Sequence, residues 1–89
     1  MMGSDEFLEL AKKEVLRYAK EHIDQSDGPV AFGVYVVWSV KALQNNKALL
    51  STTLIDGMYY ECTYNGDKGV MYLDAYKKFE NREIAVARE

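Results

Sequence analysis

The sequence is short of the residue types that build cross-links and reactive centres. It holds one cysteine and one histidine in 89 residues. A single thiol excludes an internal disulfide, and Cys62 with His22 alone cannot supply the four ligands of a structural zinc site. Glycines are few and scattered (Gly3, Gly28, Gly33, Gly57, Gly66, Gly69), spelling neither a phosphate loop nor a dinucleotide fingerprint. G-x-S-x-G, H-E-x-x-H and paired C-x-x-C are missing as well. No apolar run approaches the ~18 residues of a membrane span, and Met1-Met2-Gly3-Ser4-Asp5 lacks the apolar stretch of a signal peptide. Positive charge is not in excess either. Eleven basic residues meet 14 acidic ones, a formal charge of −3, where a nucleic-acid binder ordinarily shows a basic segment. These absences point to a cytoplasmic protein with no catalytic residues, no metal, no cofactor and no membrane partner.

What is present is a core. Hydrophobic residues make up 48% of the chain, enough for a folded globule, and the length suits one domain over residues 1–89. Charge is concentrated at the two ends: residues 30–66 carry only Lys41, Lys47, Asp56 and Glu61. That pattern suggests polar-backed helices flanking a half-buried sheet.

Leu8, Ala11, Val15, Tyr18 and His22 recur at three- and four-residue steps, widened by Ala19 and Ile23, and predict a helix over about 5–23 with Ser4 as its N-cap. Asp24-Gln25-Ser26-Asp27-Gly28-Pro29 should stop it. Four runs rich in Val, Thr, Tyr and Trp predict strands over about 30–43, 47–54, 58–64 and 69–73. Asp74 is placed as the cap of a second helix over about 75–87, turning Tyr76, Phe79, Ile84 and Ala87 inward; the alternative is a last strand that runs on past Asp74. The expected fold class is α+β, ordered α-β-β-β-β-α, a four-stranded antiparallel meander with two helices on one face.

Loop lengths give an expected register. Three-residue hairpin loops at Gln44-Asn45-Asn46 and Ile55-Asp56-Gly57 pair Val40 with Leu50, Trp38 with Thr52, and Leu50 with Cys62. A four-residue loop, Asn65-Gly66-Asp67-Lys68, sets Cys62 opposite Met71 and Tyr60 opposite Leu73. Phe32, Val34, Val36, Trp38, Val40, Leu50, Leu54, Met58, Tyr60, Cys62, Met71 and Leu73 then face the helices. Tyr35, Val37, Ser39, Lys41, Leu49, Ser51, Thr53, Tyr59, Glu61, Thr63, Val70 and Tyr72 face away. Two helices can roof only one side of four strands, so the second side is left bare over roughly 500 Å².

Isolated chemistry gives way to packing at each candidate position. His22 reads as the end of the helix stripe, its charge favoured by the C-terminal dipole, and Cys62 as an inert inner-face thiol beside Leu50 and Met71. Asp56-Gly57 and Asn65-Gly66-Asp67 read as turns, since they lack the alternating oxygen ligands of a calcium loop.

The segments Val36-Val37-Trp38, Leu49-Leu50-Ser51-Thr52-Thr53-Leu54, Asp56-Gly57-Met58-Tyr59-Tyr60-Glu61 and Tyr72-Leu73-Asp74-Ala75-Tyr76-Lys77-Lys78 carry a resemblance. Over about residues 7–84 the chain resembles a family of small uncharacterised proteins encoded by phages and prophages of Gram-positive bacteria. The resemblance implies a setting, the cytoplasm of the host cell, and no activity, cofactor or site residue.

The sequence therefore points to a non-enzymatic phage or prophage accessory protein. Its expected partner is protein, a second copy in the simplest case, held by Tyr35, Val37, Ser39, Lys41, Leu49, Ser51, Thr53, Tyr59, Glu61 and Tyr72 of the bare side, with Lys41 and Glu61 placed for pairing between subunits. The alternative is a single-stranded nucleic-acid accessory factor that stacks bases on the same tyrosines and touches phosphate with Lys77, Lys78 and Arg82. A third and weaker expectation puts a ligand near His22 and the Asp24–Gly28 loop.

Overall fold

A computed structural model describes residues 2–23 and 30–87 of the chain. One helix, α1 (Ser4–His22), precedes four strands: β1 (Val34–Ala42), β2 (Asn45–Thr52), β3 (Met58–Asn65) and β4 (Val70–Lys77). The strands pair antiparallel in chain order, so the architecture is α-β-β-β-β.

The helix buries one narrow stripe. Phe7, Ala11, Val15 and Ala19, four residues apart, are buried, and Leu8 and Tyr18 pack at its margins. Phe7 joins the stripe in place of His22, which is exposed. Gly3, not Ser4, is the N-cap and offers no side chain; the Phe7 N–H donates to the Gly3 carbonyl at 2.9 Å. Asp5 and Glu6 still complement the positive end of the helix. The Asp24–Pro29 turn expected to stop α1 lies outside the described residues.

Two ladder rows form the centre of the sheet's helix side. Val36–Leu50–Tyr60–Ala75 supplies bulk, while Ser39–Ala48–Cys62–Leu73 is mostly small and lets the Ala11–Val15 turn approach. Helix α1 packs chiefly on β1 and β2, less on β3. The Tyr60 ring meets Tyr18 edge-on at 5.6 Å.

The largest correction concerns the C-terminus. Among the described residues there is no second helix. Strand β4 runs through Asp74 to Lys77, pairing Asp74 with Glu61, Ala75 with Tyr60, Tyr76 with Tyr59 and Lys77 with Met58. The Lys78 N–H closes the ladder on the Gly57 carbonyl at 2.7 Å. A helix beginning at Asp74 would leave four residues of β3 with an unpaired edge, and ladder hydrogen bonds outweigh a helical stripe that has nothing to pack on. Residues 78–87 then continue without regular structure, and Phe79 is 99% exposed.

The register is also corrected. The first hairpin closes with two residues, Leu43 and Gln44, not with Gln44-Asn45-Asn46. Leu43 holds the left-handed backbone that the turn needs, at φ 56°, while Asn46 is buried on the helix side. Between Val36 and Trp38 a β-bulge at Val37 shifts the pairing, so Trp38 lies opposite Leu49 and Val40 opposite Lys47. The extra residue reverses the faces of everything after it. Trp38 and Val40 turn away from the helix, and Ser39 and Lys41 turn toward it. In β2 and β3 the pairs are Leu50–Tyr60 and Ala48–Cys62, two residues from the expected Leu50–Cys62, and a two-residue shift leaves each side chain on its face. Strand β4 shows the same two-residue shift, with Cys62 opposite Leu73 and Tyr60 opposite Ala75. Phe32 precedes β1, and Thr53 and Leu54 follow β2.

The molecule is thin. Its extents are 53 × 39 × 18 Å, and its radius of gyration of 15.7 Å exceeds the about 12 Å of a compact chain of this length. Its accessible surface of 6868 Å² compares with about 5,300 Å² for a compact 10.2 kDa protein. The uncovered side of the sheet and the extended C-terminal segment both contribute to the excess.

Cys62 lies at the centre of the helix–sheet layer with no exposed surface. Burial, with smaller contributions from Glu14 and Asp74, pushes its thiol up to about 11 from an ordinary 9.0. The folded state therefore keeps a proton that the unfolded chain releases at lower pH. Stability should be full below pH 9, decline as pH rises from 9 to 11, and level off above. Urea titrations across that range should show this extra loss in the native protein, and Cys62→Ala should remove it. Ellman's reagent should leave the folded thiol untouched and react fully in urea.

Candidate functional site: the open face of the sheet

The side of the sheet turned away from α1 carries three ladder rows. They are Tyr35–Ser51–Tyr59–Tyr76, Trp38–Leu49–Glu61–Asp74 and Val40–Lys47–Thr63–Tyr72. Alternation along each strand puts these residues on one side, and the Val37 bulge brings Trp38 and Val40 to them. Trp38 is 43% and Val40 55% exposed, and Tyr35, Val37, Tyr72 and Tyr76 are likewise exposed. Four tyrosines, the single tryptophan, two valines and Leu49 thus form one patch on strands held from behind by the core.

Its charges sit in the middle. Lys47 Nζ lies 3.5 Å from Glu61 Oε1, a diagonal pair between β2 and β3. Asp74 stands directly opposite Glu61 on β4, and it has no ion-pair partner among the described residues. Two carboxylates side by side repel, which favours a cation placed over them. Ser51 is the polar exception that is already satisfied: its hydroxyl donates to the Met58 carbonyl at 2.9 Å.

Most of the surface expected from the sequence falls here: Tyr35, Val37, Leu49, Ser51, Tyr59, Glu61 and Tyr72. Ser39 and Lys41 do not, because the bulge turns them to the helix side. Thr53 lies past the end of β2, where its hydroxyl oxygen accepts the Gly33 N–H at 2.9 Å. Trp38, Val40 and Tyr76 are members that the expected register missed. Tyr76 falls in the stretch whose periodicity predicts a helix, and no local signal marks the bulge in Val34–Lys41.

Of the basic residues of the nucleic-acid alternative, Lys78 extends the β4 ladder two residues past Tyr76 and so stands at the margin of this face, while Lys77 points to the other side. Lys77 pairs with Met58 and lines a cavity on the helix side with Tyr18, His22 and Tyr60. Arg82 is engaged with Glu80 at 3.2 Å in the C-terminal segment. His22 stacks on Tyr18 at 4.1 Å, and its Nδ1 lies 2.8 Å from the Tyr18 carbonyl oxygen. The Asp24–Gly28 loop expected beside it is outside the described residues. Among those residues no group of three or more His, Cys, Asp or Glu is arranged to hold a metal ion. No described helix is long and apolar enough to cross a membrane.

A single helix on one side of a four-stranded meander, with an aromatic second side, defines a two-layer α+β protein with an open sheet. The chain belongs to a family of unknown function (DUF6275), whose model matches residues 8–86. No curated protein and no solved structure matches it significantly.

Proposed function

We propose that the chain is a non-enzymatic accessory protein that works by protein–protein contact through the open sheet face, with a second copy of itself as the partner. The observation that carries this is the continuous, half-exposed patch of Tyr35, Trp38, Val40, Tyr59, Tyr72 and Tyr76 on a rigid sheet. Monomers rarely leave so large an apolar surface without a use, and Tyr and Trp are the side chains that protein interfaces enrich. Two such faces of roughly 500 Å² each bury about 1,000 Å², close to the lower bound for a specific interface. The face also carries both signs on different strands. A two-fold axis near the Leu49–Glu61 row sets Lys47 of each copy against Asp74 of the other, which replaces the Lys41–Glu61 pairing expected from sequence.

The phage or prophage setting and the host cytoplasm rest on the sequence resemblance, and they complete the reading as a small accessory component. The shielded thiol of Cys62 fits a binding role better than a catalytic one. The central carboxylates weigh against phosphate as the ligand.

Light scattering on a sizing column tests the proposal. The protein should run as a dimer at high micromolar concentration, and Trp38→Ala or Tyr72→Ala should weaken association at least 30-fold, the loss of about 2 kcal/mol typical of a central aromatic contact. A monomer at that concentration, or a dimer indifferent to both variants, contradicts it.

A further inference from the structure

Strand β1 is one outer edge of the sheet, and α1 lies mainly over β1 and β2. Beside that edge runs a groove of about 600 Å³, walled by Leu10 and Leu16 of α1 and by Phe32 and Val34 at the start of β1, with Lys12 and Lys13 on its rim. It is the space a fifth strand next to β1 would occupy. An added strand would hydrogen-bond to the outward N–H and C=O groups of β1, which pair with no described strand, and turn alternate side chains toward Leu16, Phe32 and Val34.

The chain carries a segment of that form, which has no partner among the described residues. After β4, Glu83-Ile84-Ala85-Val86-Ala87 places two β-branched residues two apart, which in an extended strand puts both on one side. Ile84 is 72% and Val86 80% exposed. Glu83 precedes them and is opposite in charge to Lys12 and Lys13 of the groove, which Glu9 also lines; neither lysine has an ion-pair partner among the described residues. The six residues from Lys78 to Glu83 that must bridge to the groove reach about 20 Å when extended, against about 14 Å from β4 to β1 across the sheet. Within one chain, however, the segment leaves from the edge opposite the groove.

We infer that the C-terminal segment of one copy docks as a fifth strand on the β1 edge of a second copy, Ile84 and Val86 filling the groove beside α1. The exchange is reciprocal, so each copy gives one strand and receives one. It uses none of the open-face residues, and failure of either contact leaves the other standing.

Disulfide trapping tests it in the full-length chain. Leu16→Cys protein mixed with Val86→Cys protein under mild oxidation should yield a species of twice the 10.2 kDa chain mass, at least tenfold faster than Arg17→Cys protein mixed with Val86→Cys protein. Arg17 serves as the control because it lines the β4 side of the helix together with Leu73. Phe32→Cys in place of Leu16→Cys should behave like Leu16→Cys, and Val40→Lys, which disturbs the open face, should leave the rate unchanged. Cys62 does not interfere, since it is buried. Equal rates for Leu16→Cys, Phe32→Cys and Arg17→Cys overturn the exchange. So does closure of a Leu16→Cys/Val86→Cys double variant within one chain at high dilution, which would mean that each segment serves its own groove.

Discussion

Leu50→Ala is expected to cost about 3 kcal/mol of stability, while Leu49→Ala, one residue earlier in the same strand, should cost less than about 1 kcal/mol. Leu50 has no exposed surface and sits between Val36 and Tyr60 beneath the helix. Leu49 sits between Trp38 and Glu61 on the open face and is only partly buried. A domain of this size has about 5–10 kcal/mol in total, so Leu50→Ala removes a large share of it and leaves a protein prone to unfold on mild heating. Leu49→Ala should show its effect in the assembly state instead. Urea unfolding at low micromolar concentration, paired with light scattering, separates the two. Equal stability losses would mean that the sheet is covered on both sides.

Gly66→Ala should cost about 2–3 kcal/mol, the range of a forced overlap in a packed site. The β1–β2 and β3–β4 turns abut at one end of the sheet, where the Gly66 N–H donates to Asn45 Oδ1 at 3.1 Å. A Cβ at Gly66 would run into the Gln44 carbonyl oxygen and approach Gln44 Cβ at 2.8 Å. Backbone cannot step aside as a flexible side chain can, so the two turns must separate. Two other glycines distinguish this cause from others. Gly3→Ala meets nothing within 4 Å and should cost only about 0.5 kcal/mol, the penalty of Ala in place of Gly at the N-cap. Gly69→Ala also meets nothing, but its φ of 67° should cost about 1 kcal/mol through backbone strain alone. The order Gly66, Gly69, Gly3 in thermal midpoints, lowest first, is the expected result.

The same positions show what could be read from the sequence. The stripe Ala11, Val15, Tyr18, Ala19 located α1, because a helical period over nineteen residues has few competing explanations. Face assignments in β2, β3 and β4 were legible even though their register was two residues off, since an even slip leaves every side chain on its side. Strand β1 was not. Its run Val34–Lys41 alternates well enough to look regular, and the bulge at Val37 answers to partner strands that no local pattern reveals. That one residue decides whether Trp38 is core or surface. The C-terminus failed for a related reason: Tyr76, Phe79, Ile84 and Ala87 fit a helical stripe, but β3 offers residues 74–77 an edge to pair with, and local periodicity carries no record of that edge. The open face was legible as a consequence of size, and its aromatic members Trp38 and Tyr76 were not, because each depends on one of those two misread elements.

Trp38 supplies the most direct measurement. It is the chain's single tryptophan and stands on the uncovered side of the sheet, so its fluorescence reports that side. Dilution of the wild-type protein from high micromolar to nanomolar concentration should shift the emission to longer wavelength, with the same midpoint as the fall from dimer to monomer mass. An emission maximum that stays fixed while the mass changes, or a monomer at every concentration, would contradict docking through the open face.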